Sequence, residues 1–123
     1  TSRIDYGACQ AVAAEARAIR EGVALIDQTS FSKFELKGPG AREAMDRIAA
    51  ADLSGPPGRA IYTQLLNDRG GIEADLTVIL RRPDDLLIVT GSGFGVRDAH
   101  WIGRQLPSGL SLRDVTNAYA VLN

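Results

Sequence analysis

Two side chains of this 123-residue chain stand where chemistry could be done, Tyr62 and Asp75. Both lie in YTQLLNDRGGIEADLTV, residues 62–78, where two alternating runs flank the turn-rich Asp68-Arg69-Gly70-Gly71. Such a pattern predicts a β-hairpin. Strand side chains alternate, so Glu73, Asp75, Thr77 and Ile79 share one face, and Ala74, Leu76, Val78 and Leu80 the other. Asp is depleted from strands, which makes Asp75 the unusual member. Tyr62 falls on the same face from the neighbouring strand. An aromatic ring beside a carboxylate can hold a flat heterocycle and accept hydrogen bonds from its N–H groups. From pattern alone two readings stay open: the Asp75 face lines a ligand pocket, or it meets water.

The other candidates carry less. GSGFG (91–95) follows an apolar strand pattern and precedes a helical one, as a dinucleotide phosphate loop does. Its spacing departs from G-x-G-x-x-G, because Val96 stands where the last glycine is required. A tight turn accounts for it. His100 has no second His to work with and only one Cys in the chain, Cys9, so the sequence offers no zinc-site pattern of His and Cys ligands. His100 reads as a helix residue near solvent. Cys9 and Ser30 lack any nucleophile signature. Asp84-Asp85 reads as turn chemistry, and Arg17, Arg20, Lys33 and Lys37 as solvated faces.

The elements that must position Tyr62 and Asp75 follow from hydrophobic period. Strands are expected near 31–37, 60–67, 73–81, 85–90 and 111–121, with VALID (23–27) as a further short one. In FSKFELKG, Phe34 and Leu36 alternate against Lys33, Glu35 and Lys37, a strand with one wet face. LLIVT (86–90) is apolar throughout, as strands buried on both faces are. Helices are expected near 8–21, 40–50 and 94–106, the first amphipathic through Val12, Ala16 and Ile19, the third through Phe94, Trp101 and Ile102. Strand–helix–strand twice over, joined by hairpins, is the split βαβ pattern. The fold class is therefore α+β, ferredoxin-like, with an antiparallel or mixed sheet and helices on one face. The first helix is an addition at its edge.

Composition narrows the function. With 45% hydrophobic and 24% charged residues the chain has the balance of a globular domain. A net charge of −1 offers no basic surface for nucleic acid or an anionic membrane. No apolar run approaches the roughly 20 residues of a membrane helix. One cysteine leaves no internal disulfide and points to a reducing, cytoplasmic setting. The start at Thr1 and the apolar finish AYAVLN read as cuts, making residues 1–123 a single partial domain. On that reading AYAVLN presents a strand edge through which the protein self-associates.

YTQLLNDRGGIEADLTV also resembles the signature hairpin of the aminomethyltransferase (glycine-cleavage T-protein) family of tetrahydrofolate-binding domains. The likeness extends to EARAIREGVALIDQTSFSKFELKGPGA, DDLLIVTGSGFGVRDAHWI and LRDVTNAYAVLN. REGVALIDQTSFSKFEL and VTGSGF look most like the C-terminal folate domain of FAD-linked dimethylglycine and sarcosine dehydrogenases. The resemblance implies the first part of that folate-binding fold, with Asp75 as the catalytic aspartate, Tyr62 as the aromatic beside the pterin and Phe31 as a pocket wall. It also implies tetrahydrofolate as cofactor, FAD in an upstream domain, and a small N-methylated amine as substrate. The one-carbon unit would be captured as 5,10-methylenetetrahydrofolate. Alternatives within the resemblance are a stand-alone T-protein and a folate-binding protein of the same fold without transfer activity. Two positions depart from the family: its pterin-contacting Asn aligns with Gly91, and the Glu-His of its first helix is Glu15-Ala16 here.

Overall fold

The computed structural model describes residues 6–123, with side chains from Cys9 onward. Residues 1–5, where the expected partial domain begins, lie outside the described residues. The order is α1 (Tyr6–Glu21), β1 (Ser32–Lys37), α2 (Ala41–Asp46), β2 (Ala60–Leu66), β3 (Ile72–Arg82), β4 (Asp85–Thr90), α3 (Gly95–Gln105) and β5 (Ser111–Asp114). One five-stranded sheet, ordered β2-β3-β4-β1-β5, pairs antiparallel throughout. The α+β architecture is the expected one.

The β2–β3 hairpin closes on Asn67. Its Oδ1 accepts from the N–H groups of Arg69 and Gly71, both at 3.0 Å. Gly70 takes φ 76°, a left-handed conformation that costs a glycine nothing. The strands then carry the alternation forward: Leu76, Val78 and Leu80 are buried on one face, Thr77 and Ile79 half-buried on the other. Helices α2 and α3 cover the first face. Phe34, Leu36, Leu86 and Ile88 of the sheet meet Ala41 and Met45 of α2 and Ile102 of α3 in one core. A buried Leu or Ile contributes about 1.5–3 kcal/mol, so this face dominates the stability. Close approach of α3 to β1 depends on Gly95, where an added Cβ would come 2.7 Å from Ser32 Cβ.

Four expectations need correction. Helix α2 ends at Asp46 rather than near 50, because Ala49 bridges Leu65 and the Ala50 N–H donates to Gln64 O at the edge of β2. The run 23–27 is no strand of the sheet: Val23 and Leu25 are exposed, and only Asp27 bridges Leu122. The segment 111–121 stops as a strand at Asp114, whose carboxylate accepts from the Thr116 N–H and turns the chain. After a 3-10 turn at Thr116–Ala118, AYAVLN runs back along 26–28, with Gln28 N–H donating to Val121 O and Ile26 N–H to Asn123 O. Finally, β1 has no wet face. Lys33 is fully buried and Glu35 only 5% exposed. The Lys33 ammonium donates to the carbonyls of Thr29 and Phe31, both at 2.8 Å. Glu35 sits among Arg81 (2.7 Å), Arg113 (3.0 Å) and Lys37 (3.1 Å), and the Tyr119 hydroxyl donates to it.

Two further differences concern helices. The apolar stripe of α1 stays exposed, Val12 at 62% and Ile19 at 50%, so the helix stands clear of the sheet. Phe94 lies outside the buried stripe of α3, and Ile102 anchors that helix with the half-buried Trp101 beside it.

Two outcomes follow. Arg81, then Lys37, hold the Glu35 carboxyl down to about 2 from an ordinary 4.5. A depressed folded pKa gives stability that is complete above the unfolded pKa and is lost as pH falls through the folded one. Glu35→Gln should therefore unfold more easily than wild type above pH 4.5, with the gap in urea midpoint closing between pH 4.5 and about 2. A gap independent of pH would remove the ion network as its cause. Separately, Gly95→Ala should cost about 1–3 kcal/mol by overpacking. Adding Ser32→Gly should recover part of that loss, read as favourable coupling in thermal unfolding.

Candidate functional site

The face of the sheet opposite the helices carries a cavity of about 480 Å³. Thr77 and Ile79 of β3 and Val89 of β4 form its floor, the half-buried members of the alternation. Tyr62 and Asp75 stand at one side. Phe31 and Gln28, from the segment before β1, form a wall with Val121 of the C-terminal segment. Gly91 and Phe94 close the end nearest α3.

Tyr62 pairs across from Thr77, and Gln64 from Asp75, so Tyr62 and Asp75 are diagonal neighbours on one face. The Tyr62 hydroxyl donates to Asp75 Oδ2 at 3.2 Å. Among the described residues Asp75 joins no ion pair, since the nearby Arg97 is taken up by Glu73 and Asp98. Asp75 therefore keeps acceptor capacity free toward the cavity. The negative charge of Asp75 pushes the Tyr62 phenol above its usual value, with burial and the hydrogen bond adding in the same direction.

Phe31 is held from behind. Its carbonyl and that of Thr29 accept from buried Lys33, and the Thr29 hydroxyl accepts from the Val121 N–H at 3.1 Å. All three residues singled out from the sequence, Tyr62, Asp75 and Phe31, border the same cavity. Sequence reasoning passed over Phe94, Gln28 and Val121, and read Lys33 as solvated. No local pattern reports them, because each reaches the cavity through chain reversals between segments far apart in sequence. A larger cleft of about 710 Å³ opens beside Val96 and the turn at 113–118. Its charged groups and Thr116 already have partners: Arg113 pairs with Glu35, Asp114 accepts from the Thr116 N–H, and Thr116 Oγ1 accepts from the Lys33 N–H.

The profile of the GCVT N-terminal domain matches residues 4–123. The chain belongs to that family. A stretch of 93 residues is 43% identical to 4-methylaminobutanoate oxidase (formaldehyde-forming) of Paenarthrobacter nicotinovorans, covering 76% of this chain and 11% of that protein. Human mitochondrial sarcosine dehydrogenase is 50% identical over 64 residues, 52% of this chain and 7% of its own length. The chain thus aligns with only a small part of these relatives. Among solved structures, the glycine cleavage system aminomethyltransferase T of Bartonella henselae superposes with a TM-score of 0.68 at 21% identity. That match covers 75% of this chain and 26% of the other, and it establishes the shared fold. This is an aminomethyltransferase-like domain, related both to sarcosine dehydrogenase and to aminomethyltransferases. No helix among the described residues is long and apolar enough to cross a membrane. No group of three or more His, Cys, Asp or Glu among them could hold a metal ion.

The Tyr62–Asp75 contact predicts its own signature. Asp75→Asn removes the charge that raises the phenol, so the Tyr62 titration should move down toward 10.0. Tyrosine 13Cζ NMR, assigned with Tyr62→Phe, measures it; an unmoved titration would mean the two groups do not face each other in solution.

Proposed function

We propose that this chain is the N-terminal part of the tetrahydrofolate-binding, one-carbon transfer domain of an N-methyl amine dehydrogenase of the dimethylglycine or sarcosine type. Residues 1–123 form one part of that domain, and the flavin, FAD, belongs to another part of a longer chain. The observation that carries the reading is the Tyr62–Asp75 pair at the rim of an apolar cavity, with Asp75 free of any cation among the described residues. Identity to two enzymes named for N-methyl amine substrates supports the substrate class.

The lining fits a reduced pterin. Phe31, Tyr62 and Phe94 offer aromatic surface, Ile79 and Val89 an apolar floor, and Asp75 an acceptor for ring N–H groups. Tetrahydrofolate, when bound, supplies the nucleophilic nitrogens that take up a one-carbon unit as 5,10-methylenetetrahydrofolate. The chain's own residues do the rest. Asp75 accepts hydrogen bonds from the ligand, opposes positive charge that develops beside it, and takes up a proton. Tyr62 fixes one oxygen of that carboxylate through its hydroxyl. Phe31, braced by Lys33, and Phe94 exclude water, which limits loss of a reactive one-carbon unit to solvent.

A second reading, a glycine-cleavage aminomethyltransferase receiving its unit from a lipoyl-bound donor, is favoured by the structural match and by 32% identity to an aminomethyltransferase over 87% of this chain. Both readings give Asp75 the same task. In the protein that carries this domain, Asp75→Asn keeps the shape and loses the charge and the base. With saturating tetrahydrofolate, the yield of methylenetetrahydrofolate should fall roughly 100-fold while amine oxidation continues and formaldehyde appears. An unchanged yield would take Asp75 out of the mechanism; transfer only from an aminomethyl-lipoyl donor would favour the second reading.

A further inference from the structure

Asp98 is buried at 2% exposure, and its Oδ1 is the one buried side-chain polar atom among the described residues without a hydrogen-bond partner. A carboxylate in that position is costly unless something else needs it. A helix-capping role would turn its oxygens toward the free N–H groups at the start of α3. Instead Oδ2 accepts from the Thr90 hydroxyl at 2.6 Å. Thr90 pairs across from Leu76 in the β3–β4 ladder, and its hydroxyl oxygen lies 3.5 Å from the Asp75 carbonyl oxygen. With one proton, Thr90 spends it on the shorter, charge-assisted contact.

Arg97, the preceding residue, reaches the other side of Asp75. Its Nη1 donates to the backbone carbonyl of Glu73 and its Nη2 to Glu73 Oε2 at 2.7 Å. The same Nη1 lies 3.5 Å from the bare Oδ1 of Asp98, close enough for attraction without a hydrogen bond. Glu73 Oε1 accepts from Asn67 Nδ2 at 2.8 Å, which ties the set to the hairpin turn. Of two consecutive residues in one helical turn, Arg97 thus holds β3 at Glu73, two positions before Asp75, and Asp98 holds Thr90 on the neighbouring β4 across from Leu76. Among the described residues the Asp75 side chain has only the Tyr62 hydroxyl as partner.

We propose that Arg97 and Asp98 are positioning residues: by holding Glu73 and Thr90 they fix the β3 backbone so that the Asp75 carboxylate faces the cavity. This rests on the function proposed for Asp75, and it adds a requirement that function does not contain. Arg97 stays half-exposed, so its removal spares the core.

The test is a double-mutant cycle of Arg97→Gln with Asp75→Asn, in the protein that carries the domain, read with tetrahydrofolate. Arg97→Gln alone should lower kcat for transfer roughly 10- to 100-fold, as a displacement of about an ångström does, with little change in KM. In the Asp75→Asn background it should add nothing further. Tyr62 gives a readout apart from activity. The Asp75 charge is what raises the phenol, so displacement of Asp75 lowers its titration, and a downward shift in Arg97→Gln is expected. Equal losses in both backgrounds, or an upward shift, would mean Arg97 is structural only and overturn the proposal. Wild-type transfer in Arg97→Gln beside impaired Asp75→Asn would overturn the clamp and leave the site reading intact. Wild-type transfer in Asp75→Asn would remove the site reading and the clamp with it. Asp98→Asn should repeat the Arg97→Gln pattern.

Discussion

The alternation of β3 between β2 and β4 is the constraint on which the rest of this structure depends. Leu76, Val78 and Leu80 face the helices, and Asp75, Thr77 and Ile79 face the cavity. A slip of one residue would exchange the two sets, burying a carboxylate without a partner and exposing three large aliphatic side chains. At about 1.5–3 kcal/mol for each of those side chains, the helix-covered core decides where Asp75 points. The Asn67 turn and the irregular pairings at Leu65/Leu66 and Leu80/Arg82 then confine the register at both ends of the ladder.

The second layer of organisation is electrostatic. Lys33 and Glu35 occupy what would be the wet side of β1, yet each is enclosed and each answers a need of the chain around it. Lys33 gathers two carbonyls of the segment bearing Phe31. Glu35 gathers Arg81, Arg113, Lys37 and the hydroxyl of Tyr119, which draws the C-terminal turn onto the sheet. These two buried charges are tolerated because Lys33 is met by carbonyl oxygens and Glu35 by opposite charge. They also hold two segments outside the strands, 28–31 and 115–121, against the sheet.

Much of this was readable in the sequence, for a physical reason. Period-2 alternation is local, so the hairpin, the common face of Tyr62 and Asp75, and the five strands could be read off neighbouring residues. Pairing between distant segments is not local. Lys33 and Glu35 look like solvated charges until Thr29 and Arg81 are seen beside them. AYAVLN looks like a strand continuing β5 until Asp114 turns the chain and 26–28 takes up its hydrogen bonds. The helical period of 8–21 foretold α1 correctly, but period says nothing about whether an apolar stripe finds a partner. Phe94 fitted a helix stripe by spacing, and its place before the first turn of α3 put it at the cavity instead.

The division of labour between the two faces of the sheet has an evolutionary consequence. Thr77, Ile79 and Val89 touch the cavity and none of them belongs to the helix-covered core. Changes at those positions reshape the cavity floor without opening a void under α2 or α3. Stability and ligand preference can therefore drift along separate sets of residues that alternate in the same strands. A fold built this way can be inherited intact while the floor of its cavity is rewritten at alternate residues of two strands.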